Sequence, residues 1–391
     1  MKMIKNMKTL FFSIVFSIFG IGYLVGFGLL ERYSIVGLTI VFCIFIREIR
    51  KISFMQFCIG IGGMIVGILL CSHFLFFFEY KDESRKESIY AEENENTAVL
   101  LVYEGEPERY DLPIHLKNIN TSNSIKEKIF LPIRLYQYKR VYENIGISKY
   151  KDISRRIGQK LSTHLDHGYD IYISYLNDQP YYKDVICEKV LRQKYKKMII
   201  APILLTESLN YQYVVHELEM ENLYMNKNSL KFMKPLWDGE KITKAIVKEA
   251  CRENEDKKDM GIVLMGNMKG EGVRSKAVNQ ERKFVENIKK ELMKNGFEER
   301  KIKFTGQSFK EEELNKNLGE LQEYGVGKIL LVEIDDVLDK IENQYRIEKL
   351  IKKMKGVENL DIRYMAGWGE KDLIIEELEY RIRLMNVEKW N

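Results

Sequence analysis

KIKFTGQSFKEEELNKNLGELQEYGVGKILLVEIDDVLDKIENQY, residues 301–345, contains a β-rich run, a helical pattern, a Gly-marked turn and a second apolar run. KIKFT (301–305) and KILLVEI (328–334) read as strands and EEELNKNLGELQEY (311–324) as the helix between them, with another helix from about Asp336 to Lys355. Strands alternating with helices long enough to cross over argue a parallel sheet. Upstream, GIVLM (261–265) is a further strand opening into the glycine-rich GNMKGEG, and Phe284, Ile288 and Leu292 mark a helix stopped by Gly296.

The same alternation occurs before the charged stretch CRENEDKKDM (251–260). TAVLLVY (97–103), YDIYISY (169–175) and KMIIAPIL (197–204) are strand-like, and Ile153, Ile157, Leu161 and Leu165 recur at a helix-face step closed by Gly168. Two such sets predict two tandem α/β, Rossmann-like domains with parallel sheets, spanning 97–250 and 251–391. In such folds ligands bind beyond the carboxyl ends of the strands. The residues to watch therefore follow Tyr103, Tyr175, Leu204, Met265, Thr305 and Ile334.

Ahead of these domains lies a different composition. Residues 10–30 and 55–78 are 21 and 24 positions without a charge, each long enough to span a bilayer. Between them residues 33–46 give only 14. Lys2, Lys5 and Lys8 precede the first run, and Arg47, Arg50 and Lys51 precede the third, so three spans satisfy the positive-inside rule and leave the remainder extracytoplasmic. Two spans would return it to the cytoplasm. Either way the expectation is a multi-pass anchor at the cell membrane, joined by the polar tether 79–96. Gly22-x-x-x-Gly26 and Gly63-x-x-x-Gly67 would permit close helix packing, or are simply tolerated in lipid.

Other chemistries are excluded. The formal charge of +5 arises from 62 basic against 57 acidic residues, with no basic run interleaved with aromatics, which argues against nucleic acid. GNMKGEG lacks the Gly-Lys-Ser/Thr ending of a phosphate loop. HELEM (216–220) has Met220 where a zinc protease needs its second His. Five cysteines in no ligand spacing imply neither disulfide framework nor zinc site. His164 and His167 are placed either to bind a metal or to sit as a solvated helix end. Asp335, Asp339 and Glu342 step by four and three, so they would share one face of the helix after KILLVEI, as a cation path or as a solvated surface.

The order of these pieces resembles the ferrochelatase family. Residues 304–342 carry its Gln-Ser pair after a strand (Gln307, Ser308), a helix, a Gly, an apolar strand and the Asp and Glu of an Asp-x-x-Glu-x-x-Tyr segment (Asp339, Glu342) that Tyr345 completes. AVLLVYEGEPE (98–108) is similar to its opening strand and Gly-x-Pro turn, HLKNI (115–119) to its following Phe-Leu-x-Asn, and YENIGISKYKDISRRIGQKL (142–161) to its Tyr-x-x-Ile-Gly-Gly-x-Ser-Pro segment. The resemblance covers 97–391.

It implies a cleft between two domains that takes a flat tetrapyrrole, porphyrin or haem, and, in haem biosynthesis, an enzyme inserting Fe(II) with release of two pyrrole protons. It would place Glu104, Gly105, Pro107, Gln307 and Ser308 at the porphyrin, and Asp335, Asp339 and Glu342 on the metal path. Glu342 would be the catalytic base and ligand, facing the family's His. That His position is Asn267 here, and an amide neither accepts a proton near neutrality nor binds Fe(II) as imidazole does. Lys340 stands two residues before the Glu, where the family commonly has His. Two functions follow: a membrane-tethered ferrochelatase, or a catalytically degenerate protein that binds a porphyrin, haem or metal ion.

Overall fold

Residues 98–103 have no solvent exposure, as befits a parallel strand covered on both faces. They form most of β1 (Asn94–Tyr103), which pairs with β2 (Tyr169–Tyr175) on one side and β3 (Tyr195–Pro202) on the other, with β4 (Leu230–Phe232) beyond β3. In the second sheet β5 (Met260–Met265) lies between β6 (Ile302–Thr305) and β7 (Lys328–Glu333), with β8 (Asp361–Met365) outside β7. Every pairing is parallel, and both sheets run second, first, third, fourth. The expected α/β class with two parallel sheets is what the chain forms. The computed structural model describes residues 2–49, 53–76, 94–120, 130–220, 230–253, 257, 259–266, 276–306, 311–354, 360–365 and 367–390.

The helices in chain order are α1 (Lys2–Val25), α2 (Leu29–Ile49), α3 (Phe54–Phe76), α4 (Leu112–Asn120), α5 (Leu131–Ile145) and α6 (Tyr150–Leu165). They continue as α7 (Leu209–Met220), α8 (Glu240–Glu253), α9 (Lys276–Lys294), α10 (Glu311–Glu323), α11 (Ile341–Met354) and α12 (Asp372–Val387).

The two-residue period of a strand sorts the apolar side chains. Val99, Leu101 and Tyr103 of β1 and Ile262 and Leu264 of β5 share one core with α6, α8, α9 and α12. Ala98, Leu100 and Val102 turn to the other face and meet Val214 of α7, while Val263 and Met265 meet Leu314 and Leu318 of α10. Burying one such leucine stabilises the fold by roughly 2 kcal/mol. Although α12 follows β8, it packs on α6 and α8: Arg156 forks onto the Glu370 carboxylate at 2.6 and 3.0 Å, and Lys160 reaches Asp372 at 3.0 Å. Both sheets consequently belong to one compact unit, Ser84–Glu108 with Ser148–Asn391.

Met1–Glu83 and Arg109–Ile147 form the other unit. Among the described residues, three of its helices are long and apolar enough to cross a membrane: Met3–Val25, Leu29–Arg47 and Phe54–Leu75. The middle one is longer than its uncharged run because Glu31 and Arg32 lie in its first turns, where Glu31 pairs with Lys139 at 3.0 Å. The glycine spacing does serve packing. A Cβ at Gly63 would fall 2.9 Å from Leu10 O, one at Gly67 2.8 Å from Ile14 O, and one at Gly22 2.5 Å from Ser34 Oγ.

The helix after β7 begins at Ile341 rather than near Asp336, so Asp335, Asp339 and Glu342 do not share a helix face. Residues 334–340 are irregular because their polar groups are engaged elsewhere: Asp339 accepts a bond from Tyr364 OH at 3.1 Å, and Asp336 accepts one from Asn343 at 2.6 Å.

Candidate functional site

In a sheet ordered second, first, third, the crevice opens where neighbouring connections diverge, beyond the first and third strands. Both sheets have this point, and the loops beyond β1, β3 and β7 line one cleft with the first turns of α9. Its volume is about 260 Å³, and its lining includes Glu104, Leu204, Leu205, Leu209, Glu281, Asp335, Asp336 and Lys340.

Lys340 is the centre of its electrostatics. Its Nζ lies 2.5 Å from Asp336 Oδ1 and also contacts the Glu104 carboxylate from the other sheet. The remaining valences are filled: Asn210 Nδ2 donates to Glu104 at 2.8 Å, and Asn343 Nδ2 to Asp336 at 2.6 Å. Burial works against charge on Glu104, yet the Lys340 ammonium and the Asn210 amide hold its carboxyl below the usual range. Burial likewise opposes the ammonium, but Asp336 and Glu104 hold Lys340 well above the ordinary lysine value.

Burial raises the Asp336 carboxyl above its ordinary value against the opposing pull of Lys340 and Asn343, and the carboxyls around this cluster are raised as well. Burial, then the charges of Asp336 and Glu281, pushes Asp335 up to about 8. Glu333, 2% exposed, is raised well above the carboxylate range by burial and by Asp336 and Asp335, and its Oε2 has no hydrogen-bond partner among the described residues. Burial raises Asp339 to about 6 and Glu106 to about 7, the latter against hydrogen bonds from Ser148 and Ile341. Glu106 accepts the Ile341 N–H at 3.0 Å on Oε1 and 3.2 Å on Oε2, which puts a carboxyl at the N-terminus of α11, where the free N–H groups and helix dipole favour it. Gly105 enables this turn: its φ is +82°, and a Cβ there would meet Tyr175 Cβ at 2.6 Å.

Of the residues singled out in the sequence, Glu104 and Asp335 line the cleft, Gly105 and buried Pro107 follow Glu104 without lining it, and Asp339 is bonded to Tyr364. Glu342 is in the first turn of α11, a third exposed and paired with Arg346 along its own helix. Asn267, Gln307 and Ser308 lie outside the described residues. His164 is paired with Glu379 at 3.2 Å rather than with His167. Among the described residues no group of three or more His, Cys, Asp and Glu side chains is arranged to hold a metal ion.

Asp336, Glu106, Glu281 and Glu333 escaped sequence reading. Glu281 carried a signal, since it falls on the apolar face of Phe284, Val285 and Ile288 and is only 4% exposed. Its carboxylate lies against Gly266, where a Cβ would come within 2.0 Å of Oε1.

No protein-family model matches the chain, and no curated protein matches it. Solved structures do. The sirohydrochlorin chelatase of Bacillus subtilis subspecies spizizenii, in complex with cobalt, superposes with a TM-score of 0.48 at 13% identity, over 76% of this chain and 100% of that one. A multi-domain protein of Deinococcus radiodurans described as structurally similar to chelatases gives 0.44 at 13% identity, over 76% of this chain and 56% of that one. A LacI-type putative transcriptional regulator of Bacillus cereus subsp. cytotoxis gives 0.31 at 11% identity, over 75% and 92%. The fold assignment rests on the strand order and register of this chain.

Proposed function

We propose that the protein is a membrane-anchored, chelatase-type protein whose cleft binds a tetrapyrrole without inserting metal into it. The tetrapyrrole enters through the sequence resemblance over 97–391. The observation that carries the second half is Lys340, fixed between Glu104 and Asp336. A metal dication needs deprotonated ligands, and here Glu104 and Asp336 already hold the Lys340 cation, while burial raises the carboxyls of Asp335, Asp336 and Glu333 above their ordinary range. The cleft is smaller than a whole macrocycle, so a tetrapyrrole would seat one edge against Leu204 and Leu205, with the remainder over exposed Leu209.

Metal insertion, with Fe(II) as substrate in haem biosynthesis, is the second reading. It is favoured by Asp335 and Glu106, whose carboxyls exchange protons near neutral pH and would suit the acceptance of pyrrole protons. The experiment is an anaerobic mixture of the full-length protein in lipid nanodiscs with free-base porphyrin and Fe(II). The binding reading expects a shifted porphyrin absorbance with metallation no faster than without protein. Metallation accelerated by the protein and lost in Asp335→Asn would establish the second reading instead, and an unshifted spectrum would sink both.

A further inference from the structure

The chain between β1 and α6 leaves one unit after Glu108 and returns at Ser148, and Arg109–Ile147 folds with the apolar N-terminal helices. The inner face of α5 is committed to them. Leu131 and Leu135, both without solvent exposure, cluster with Ile21 and Val25 of α1 and pack beside Cys71 and Leu75 of α3. These four partners lie inside the segments long and apolar enough to span a bilayer.

Polar contacts fix the same depth. Tyr110 OH donates to Val25 O at 2.9 Å and Lys139 Nζ to Tyr23 O at 3.1 Å. Both satisfy carbonyls of the last turn of α1, which no helix can satisfy internally and which lipid cannot satisfy at all.

The outer face changes along its length. Phe130 and Ile133 are each 54% exposed and Tyr136 38%, at three-residue steps that share one side of the helix. Farther along that side, Arg140, Glu143 and Asn144 are exposed and polar. The apolar end packs its inner face on Ile21, Val25, Cys71 and Leu75, while Lys139 nearer the polar end reaches Tyr23 O and Glu31. Aromatic and aliphatic side chains at one end, and ionised ones about 10 Å along, match the steep polarity gradient at a bilayer surface.

We propose that the start of α5 is a lipid-contacting wedge, in which Phe130, Ile133 and Tyr136 enter the interfacial region of the leaflet where α1 and α3 end. The partner is the lipid surface itself, chosen over a second copy of the chain because the apolar face is continuous with span residues that lipid must surround.

The test places Phe130→Trp or Ile133→Trp in the full-length chain, in nanodiscs of phosphatidylcholine and phosphatidylglycerol with plain or brominated acyl chains. The unsubstituted protein supplies the background of Trp237, Trp368 and Trp390. The wedge requires that the added emission be blue-shifted and fall about threefold with brominated lipid, while that of Arg140→Trp changes little. Quenching no greater than for Arg140→Trp would overturn it. A blue-shifted but unquenched signal would also overturn it, by showing that protein rather than lipid covers the face. Phe130→Trp keeps an aromatic ring in place and decides the matter alone if Ile133→Trp fails to assemble.

Discussion

Removing the Lys340 ammonium leaves Glu104 and Asp336 facing one another across the cleft without a countercharge. Lys340→Met is therefore expected to destabilise the protein by about 3 kcal/mol, the usual cost of stranding a buried partner. Adding Glu104→Gln and Asp336→Asn should return most of the loss; an equal loss in the triple variant, measured by denaturant unfolding, would mean that the lysine matters for packing alone. Asp335 supplies a pH dependence whose sign follows from its raised value. A carboxyl at about 8 in the folded protein against an ordinary 3.8 binds its proton more tightly when folded, so its contribution is fully present below about pH 4 and is lost as pH rises toward 8. Between these limits the thermal midpoint of Asp335→Asn should fall less with rising pH than that of the unsubstituted protein, and identical slopes would contradict the assigned burial. Only part of this chemistry was legible in the sequence. Asp335 was found because it follows a strand, whereas Glu106 and Glu333 look like ordinary acids until the turn at Gly105 and the packing beneath β7 bury them.

At the scale of elements, close contacts govern what can be changed. Gly105→Ala combines a left-handed φ with a collision at Tyr175, and should cost about 2 kcal/mol while leaving the outward parts of both sheets intact. Gly67→Leu would drive a side chain into the α1 backbone at Ile14, with an expected loss of about 2 kcal/mol in the thermal stability of the helical unit; no change would show that α1 and α3 are not tightly packed. The edge strands β4 and β8 went unread, whereas the six inner and neighbouring strands were legible to within about three residues, YDIYISY being β2 as read and KILLVEI β7 with one residue extra. Their apolar runs have no competing period. The start of α11 was not legible, because the acids at 335 and 339 fit a helical step yet are held in a loop by Lys340, Asn343 and Tyr364, partners that no local pattern announces.

For the whole molecule, three helices of sufficient length together with the basic residues before the first and third favour an extracytoplasmic C-terminal part. A reporter fused after Asn391 should therefore be active only outside the cytoplasm, and a cytoplasmic signal would mean two crossings. The strand-helix repeat was legible, but neither the strand order nor the packing of α12 back onto α6 and α8 was, the latter a long-range choice invisible to spacing. The cleft around Lys340 is the centre of the account. Its most direct test is an absorbance titration of the full-length protein in nanodiscs with free-base porphyrin, beside Val278→Trp, which fills the cleft from α9. A cleft that binds the macrocycle gives a saturable shift with one porphyrin per chain, abolished in Val278→Trp. No saturable shift, or one that Val278→Trp leaves unchanged, would contradict it.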